Sequence, residues 1–420
     1  MSLLRQRGFA LLWCGQLLSA LADWSLRPLV LIWAYTLTRS GTTVSLVGLA
    51  EALPLLVLAP VAGVFVDRWS RARTMAGAAL ARAALILPLL LVTGAAQLPL
   101  IIAVVLLASA VSQFGVPAAS AAVPVVAGAE RAGQANSLLS LITGASGIVG
   151  PAGAALLFGT VGPHATIVAL SALYLLAAPV LLAVPAPRPA GDEAPEASMA
   201  HELLEGLDYV RRTPLLRHLI LVSFVALLGV GALSVIDVVF VTRALHLPTA
   251  HVGVLFVAIG VGQLLGGLAV ATAGRWATGR YHLLLGVTVV LNGVGFVAYA
   301  LAPTLAVAVV ALFAVGLVFP PLIVSFTTMI QLSTDDRLMG RVMSLVSTAM
   351  AVASILSTAA GGVLTDVFGV RQVIGGAAAL LIAAGILSLM VIRTTPRARV
   401  EDIDEPAAAI RSLPVADIAR

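Results

Sequence analysis

The sequence predicts an all-α membrane protein with twelve transmembrane helices in two pseudo-symmetric six-helix halves. Three observations support this fold: the composition, the length of the apolar runs and an internal repeat. Of the 420 residues, 60% are hydrophobic and only 10% are charged, and the mean hydropathy is +1.08. A soluble domain carries roughly 25% charged residues. Most of the surface of this chain must therefore contact lipid.

Twelve apolar windows are each long enough to cross a hydrocarbon core of roughly 30 Å, which takes about 20 helical residues. Lipid offers no hydrogen-bonding partners to the backbone, so runs of this length must form helices. The sequence lacks the short alternating segments that a transmembrane barrel requires. The windows are 9–37, 43–66, 75–95, 98–127, 136–160, 164–185, 215–242, 250–273, 281–302, 304–330, 341–366 and 371–392.

The two halves of the chain repeat each other at a nearly constant spacing. The segment GVFV, which begins at Gly63, corresponds to GLAV at Gly267, and Pro117 corresponds to Pro321. Both offsets are 204 residues. Parallel six-helix halves related by an axis along the membrane normal are a known plan of secondary transporters.

Composition also sets the expected domain boundaries. The halves span 1–185 and 215–393, and the Pro-rich, acidic segment 186–214 between them is expected to be a cytosolic linker. Leu203, Leu207 and Val210 lie on one stripe of this linker, which predicts a short amphipathic helix on the membrane surface. The polar segment 394–420 is expected to be a disordered cytosolic tail.

The basic residues indicate the orientation in the membrane. The 24 basic residues are all arginines. Arg27 and Arg82 lie inside spans, Arg39, Arg243 and Arg371 fall on one side, and the others fall on the opposite side with both termini. The positive-inside rule predicts a multi-pass protein of the cell membrane with both termini in the cytoplasm. Because the arginines are dispersed over short loops, no nucleic-acid partner is expected.

A loop motif resembles the signature of the major facilitator superfamily. The segment GVFVDRWSRARTM (63–75) fits G-x-x-x-D-R-x-G-R-[RK] at Gly63, Asp67, Arg68 and Arg71, with Ser70 in place of the second glycine and Arg73 one residue after the last position. In that family the loop holds the two halves together on the cytosolic side, and the bonds must break for the pore to face inward. The resemblance therefore implies a gating role for Gly63, Asp67, Arg68, Arg71 and Arg73.

Other segments resemble the macrolide-efflux and enterobactin-exporter branch of drug:proton antiporters. The opening FALLWCGQLLSALADW fits that branch's G-Q-x-x-S-x-x-G-D at Gly15, Gln16, Ser19 and Asp23. The segments FGVPAASAAVP, QANSLL and GRVMSL are also similar to the branch. The resemblance implies a central cavity lined by span one and exchange of a small molecule for protons.

Span five carries glycines at a spacing of three around a proline. The segment GIVGPAGA resembles the family's antiporter signature, although the glycine pair of that signature is broken. Small residues allow helices to approach closely, and a proline removes one backbone bond and bends the helix. We therefore expect a helix-packing role for Gly147, Gly150, Pro151 and Gly153.

Asp23 is the main candidate for proton coupling. It lies near the middle of span one, on a polar stripe with Gln16, Ser19 and Arg27. A charge at that depth costs at least about 2.5–3.5 kcal/mol, so it should face a water-filled cavity or a partner. Two interpretations remain open: a protonatable group that drives transport, or a fixed structural pair with Arg27 at i,i+4 spacing.

Other polar groups inside the spans have alternative explanations. Glu51 is a candidate second proton site, a cation-recognition group or a charge in the outer vestibule, and Asp237 is a similar candidate near the outer end of span seven. Arg82 is expected to extend to the inner surface. Gln16, Ser19, Gln113 and Asp237 are candidate cavity residues, although buried amides more often bond between helices.

Enzyme chemistry finds little support in the sequence. The six histidines are scattered, no Walker loop is present, and the single cysteine is Cys14. We therefore expect no cofactor, no metal and no catalytic site. The predicted function is proton-coupled efflux of small lipophilic compounds by a monomer in the lipid bilayer. The alternatives are a siderophore exporter, a facilitator of a specific metabolite and, least favoured, a membrane sensor.

Overall fold

Every regular element in the described chain is a helix, as the computed structural model shows. The structure describes residues 3–66, 69–186, 207–230, 233–277, 281–335 and 337–392. Within these ranges no strand occurs. The prediction of an all-α fold is confirmed.

Among its described residues, the first half contains five α-helical segments. Helix α5 is 51 residues long and would extend about 76 Å if it were straight, more than twice the hydrocarbon thickness. It breaks at Gly162, whose φ of 84° and ψ of 172° are not helical, into the arms α5a (132–161) and α5b (163–182). The segments are α1 (Arg7–Thr38), α2 (Gly41–Val66), α3 (Arg71–Ile86, continued by a 3-10 turn at Leu87–Leu91), α4 (Leu98–Ala127) and α5 (Ala132–Leu182).

In the described part of the second half there are seven α-helices and one π-helical segment, Phe240–Ala244, which follows α7. A π segment inserts one extra residue into a turn, and such segments are frequent at functional sites. The helices are α6 (Pro214–Val230), α7 (Leu233–Val239), α8 (Val252–Ala277), α9 (Tyr281–Leu301), α10 (Leu305–Leu332), α11 (Met339–Phe368) and α12 (Val370–Ile392).

The observed helices follow the predicted windows closely. In the part of the chain that the structure describes, ten helices are long and apolar enough to cross a membrane. One of these, α5, contains two predicted spans, and the shorter α6 together with α7 corresponds to the window 215–242. The proline pair of the repeat lies inside α4 and α10.

Helices pack against each other within each half, and the two halves contact each other mainly through two helix pairs. Helix α1 packs against α5, α3 packs against α4 and α5, and α9 packs against α10 and α12. Between the halves, α2 packs against α11 and α5 packs against α8. These two inter-half contacts decide how far the halves can move apart.

The α5–α8 contact is tight from one end of the bundle as far as Gly260, whose Cβ would meet Ile148 of α5, and it opens beyond that point. A Cβ built on Gly253 would lie 2.9 Å from Ala155, and one on Gly159 would lie 3.0 Å from Ala250. On the same helix faces, a Cβ on Gly144 or Gly267 would meet no described atom within 4 Å. The halves therefore touch at the end that holds Asp366, called here the Asp366 end, and separate towards the opposite end.

Most of the linker, including Leu203, and the whole of the tail 394–420 lie outside the described residues. Residues 207–212 are helical, with Val210 buried. The Tyr209 hydroxyl donates to the Ser333 carbonyl at 3.4 Å, which attaches this short helix to the loop after α10. The domain boundaries themselves stay a prediction.

Candidate functional site

Asp23 lies at the centre of a small polar cluster between α1, α3 and α5b. Its Oδ1 atom accepts hydrogen bonds from the Arg82 guanidinium and from the Tyr174 hydroxyl. The Arg82 guanidinium also stacks over the Tyr174 ring, with Cζ 4.7 Å from the ring centroid. One carboxylate thus joins three helices of the first half.

The cluster is buried at Arg82 and partly exposed at Asp23. The Arg82 side chain is only 8% exposed, whereas the Asp23 side chain is 41% exposed. The bonds from Arg82 and Tyr174 both reach Oδ1 rather than Oδ2. One oxygen of Asp23 is therefore fixed by the protein while the other remains within reach of a proton.

The expected pairing of Asp23 with Arg27 along α1 is wrong. Arg27 extends instead to Glu51 on α2, with 3.2 Å between Arg27 Nε and Glu51 Oε2. The i,i+4 spacing places both groups on one face of α1, but partners from α2 and α3 are closer to each group. Two ion pairs between helices thus replace one pair within a helix.

The expectation that Arg82 extends to the membrane surface is also wrong. Arg82 is buried, and its guanidinium is directed into the bundle towards Asp23. A buried guanidinium requires a counter-charge, because uncompensated burial of a charge is costly. Asp23 supplies that charge, and the Tyr174 ring adds a cation–π contact.

Three of the predicted cavity residues, Gln16 and Ser19 of α1 and Gln113 of α4, contact protein rather than open space. Gln16 Nε2 lies 3.5 Å from Met75 Sδ on α3. Ser19 is 4% exposed, and its hydroxyl has no partner among the described residues. On α4, the Gln113 amide donates to the Ser109 carbonyl of its own helix at 3.1 Å. Their role as cavity residues stays a prediction.

Asp237 occupies a separate site in the second half. It is 9% exposed and accepts a 2.8 Å hydrogen bond from the Tyr299 hydroxyl of α9. The Tyr299 ring lies against Phe240 of the π segment, with 4.3 Å between the ring centroids. Asp237 is therefore attached to its own half, and it shares no described contact with the Asp23 cluster.

The glycines of α5a differ in what surrounds them. A Cβ on Gly150 would lie 2.7 Å from Trp24 Cβ, and the Gly150 carbonyl accepts from the Ser25 hydroxyl at 3.1 Å. Gly147 faces the Trp24 ring, Pro151 is buried, and Gly153 has no described neighbour within 4 Å. Close approach to α1 thus concentrates at Gly150.

The predicted gating residues are only partly described. Gly63 lies near the end of α2. Arg71 begins α3, and Arg73 lies exposed in the first turn of that helix. Asp67 and Arg68 lie outside the described residues, so the gating role stays a prediction. Among the described residues, no three His, Cys, Asp or Glu side chains are grouped to hold a metal ion.

Comparison with known proteins places the chain in a family. A sequence profile of the Major Facilitator Superfamily matches residues 12–358 and 239–416. The chain belongs to the Major Facilitator Superfamily.

Relatives within this superfamily include named efflux proteins. Macrolide efflux protein A of Streptococcus pyogenes is 26% identical over 393 residues, covering 91% of this chain and 95% of the relative. The multidrug efflux pump Tap of Mycolicibacterium fortuitum is 27% identical, covering 84% of this chain and 88% of the pump. These relatives are transporters, not enzymes.

A solved structure of the superfamily has the same fold. A bacterial homologue of the human lysosomal transporter Spinster, in an inward-facing and unoccupied conformation, aligns with a TM-score of 0.73 at 13% identity. The alignment covers 94% of this chain and 98% of that structure. This superfamily member is therefore a multi-pass membrane transporter of a small molecule.

Sequence reasoning missed Tyr174 as a member of the Asp23 cluster. A tyrosine inside an apolar span gives only a weak signal, because aromatic residues are common in membrane helices. The available clue was Arg82: an arginine seven residues inside span three requires an acidic partner, and Asp23 is the nearest carboxylate in depth.

Proposed function

We propose that this transporter exports small lipophilic compounds in exchange for protons, by alternating access. The observation that carries the proposal is Asp23, a carboxylate inside the bundle whose Oδ1 is held by Arg82 and Tyr174 while its side chain is 41% exposed. Ionisable groups inside membrane segments are costly and mark ion and substrate pathways.

The relatives and the composition support the substrate class. Two of the relatives are a macrolide efflux protein and a multidrug efflux pump. The described spans supply mostly aliphatic side chains, and pockets of that kind suit apolar or amphipathic compounds. We propose a cell-membrane location with both termini in the cytoplasm, because most arginines lie on that side.

A cycle follows from the cluster. When Asp23 is ionised, its ion pair with Arg82 ties α1 to α3. A proton on Asp23 removes the charge and weakens that pair, which frees α1 to shift against α3. Glu51 and Arg27, paired at 3.2 Å between α1 and α2, would respond to the same shift. Substrate release and proton release then occur on opposite sides of the membrane.

Growth protection in a host without its own exporters tests the proposal. The wild type and Asp23→Asn would be compared on a panel of lipophilic antibiotics and dyes, at matched expression. We expect the wild type to protect and Asp23→Asn to protect at least about tenfold less, since the asparagine amide cannot bind and release a proton as the carboxylate does. Asp208→Asn is the matched control, because Asp208 is an exposed partner of Arg212 within one short helix.

The outcomes separate the alternatives. Protection that survives in Asp23→Asn would make the Asp23–Arg82 pair structural and move proton coupling to Glu51. A wild type that protects against no compound, yet transports a siderophore or a polar metabolite into vesicles, would replace drug efflux with one of those functions.

A further inference from the structure

Asp366, in the last turn of α11, reaches across to the other half of the molecule. Its Oδ1 accepts from the Gly41 backbone N–H at 3.0 Å, and its Oδ2 accepts from the Thr42 backbone N–H at 2.9 Å. Its Oδ2 also accepts from the Thr42 hydroxyl at 3.0 Å and from the Ser40 hydroxyl at 2.9 Å. The carboxylate therefore caps the first turn of α2.

The cap is unusual because it is supplied by a distant helix. The first N–H groups of a helix lack partners within the helix and carry partial positive charge. A side chain of the same segment normally satisfies them. Here a carboxylate more than 300 residues away does so, with charge-assisted bonds that are about twice as strong as neutral ones. The Ser40 hydroxyl also accepts from the Thr43 backbone N–H at 3.4 Å, but the bonds from Asp366 exist only while the halves stay together at this end.

Arg243, next to the π segment's last residue, forms a second bridge. Its Nη1 donates to Asp366 Oδ1 at 2.9 Å, within the second half. Its Nε donates to the Tyr35 hydroxyl of α1 at 3.1 Å, and its Nη2 donates to the Arg39 carbonyl. One guanidinium thus joins Asp366 to the end of α1.

The helices come closest at the same place. A Cβ on Gly41 would lie 3.0 Å from the Gly362 carbonyl oxygen, and Gly362 lies directly against Ser45 of α2. At this end Gly159 of α5 lies against Ala250, in the 3-10 turn just before α8, and that contact is apolar. Polar bonds between the halves are therefore concentrated, among the described residues, on the α2–α11 side.

We infer that Asp366 and Arg243 are positioning residues for transport: they hold the Asp366 end closed and must release α2 and α1 before that end can open. The inference rests on the proposed alternating-access function, and in the proposed orientation this end faces outward. Neither residue needs to touch the substrate. The two act through the relative position of the halves.

Distance measurements between spin labels test this inference without substrate or gradient. In a Cys14→Ser background, one pair of labels at Ala96→Cys and Ala306→Cys reports the Asp366 end. A second pair at Gln134→Cys and Arg337→Cys reports the opposite end. All four positions are exposed, and each pair spans the two halves. The protein would be purified and reconstituted in lipid nanodiscs.

Two variants and two controls complete the design. We expect Asp366→Ala and Arg243→Gln to increase the ratio of long to short Ala96–Ala306 distances at least about tenfold, since each removes charge-assisted bonds. The Gln134–Arg337 distances should shorten at the same time. Asp366→Glu keeps the charge and should retain the short distance, and Asp208→Asn should change neither pair.

The result that overturns the inference is an unchanged Ala96–Ala306 distance in a monodisperse Asp366→Ala protein. Equal broadening of both label pairs would also overturn it, since that indicates general loosening. The proposed function is tested separately by growth protection. If the wild type exports no drug but Asp366→Ala still lengthens the Ala96–Ala306 distance, the role inferred for Asp366 and Arg243 stands. Only the proposed substrate class is then removed.

Discussion

At the scale of single residues, the Asp23 cluster shows how a charged group is kept inside an apolar bundle. Asp23 and Arg82 neutralise each other, and Tyr174 contributes both a hydroxyl and a ring. The 41% exposure of the Asp23 side chain supports the proton-binding role that we propose for it. A fully buried pair would be closed to protons, and a fully exposed one would have little effect on α1.

A double-mutant cycle tests which arginine is coupled to Asp23. We expect Arg82→Gln and Asp23→Asn to be coupled by about 1–2 kcal/mol in the free energy of unfolding, because they share a charge-assisted hydrogen bond that is partly exposed on the Asp23 side. The measurement is thermal unfolding in detergent micelles, with both single variants and the double variant.

Arg27→Gln provides the comparison for that cycle. Arg27 forms an ion pair with Glu51 at 3.2 Å, so the coupling of Arg27→Gln to Asp23→Asn should be smaller than that of Arg82→Gln. A larger coupling for Arg27 would restore the intrahelical pair that the sequence spacing suggests and would contradict the geometry of the cluster.

At the scale of helices, Gly150 determines how closely α5a approaches α1. We expect Gly150→Ala to destabilise the protein by about 1–3 kcal/mol, because the new methyl group would lie 2.7 Å from Trp24 Cβ and 3.0 Å from the Trp24 carbonyl carbon. Since one neighbour is backbone, a rotamer change cannot relieve the clash. Thermal unfolding of the purified protein measures the effect.

Gly153→Ala is the matched control for that substitution. Gly153 lies on the same helix, three residues later, with no described neighbour within 4 Å of a Cβ. Alanine has a higher helix propensity than glycine, so this variant should be neutral or slightly more stable. Equal destabilisation of both variants would assign the effect to the helix itself rather than to its contact with α1.

The helices also show what the sequence could and could not predict. Apolar run length located the spans, and the gap between the windows 136–160 and 164–185 matches the break at Gly162. Contacts between helices were not predictable in the same way. The choice of Arg82 over Arg27 as the partner of Asp23 depends on the rotation and depth of α3 relative to α1, and neither is encoded in the spacing along one helix.

The Asp366 cap was missed for a related reason. The sequence placed Arg243 correctly near the end of a span, but Asp366 is an isolated carboxylate 123 residues from Arg243 and more than 300 from α2. Local spacing gives no signal for a helix cap supplied from the other half. Only the packing of α11 against α2 reveals it.

At the scale of the whole molecule, the two halves touch at the Asp366 end and diverge at the other. We expect Gly144→Cys to react readily with a membrane-impermeant maleimide, because its side-chain position has no described neighbour within 4 Å. Ala155→Cys, on the same face but 1% exposed, should react at least about tenfold more slowly. Labelling rates in membrane vesicles, in a Cys14→Ser background, measure the difference.

Vesicle orientation adds a control to that experiment. If the proposed orientation is right, Gly144→Cys should react from the cytoplasmic side, in inside-out vesicles, and be protected in right-side-out vesicles. Faster labelling in right-side-out vesicles would reverse the orientation that the arginines indicate.

Asp23 and the three charged side chains near it also determine how transport responds to the membrane voltage. When ionised, Asp23, Glu51, Arg27 and Arg82 carry a total charge of zero. A proton that binds there leaves the site with a charge of +1. Under the proposed exchange, export of a neutral compound would therefore move one charge inward per cycle, and a membrane voltage of 100 mV would contribute about 2.3 kcal/mol. Export of a monovalent cation for one proton would be insensitive to voltage.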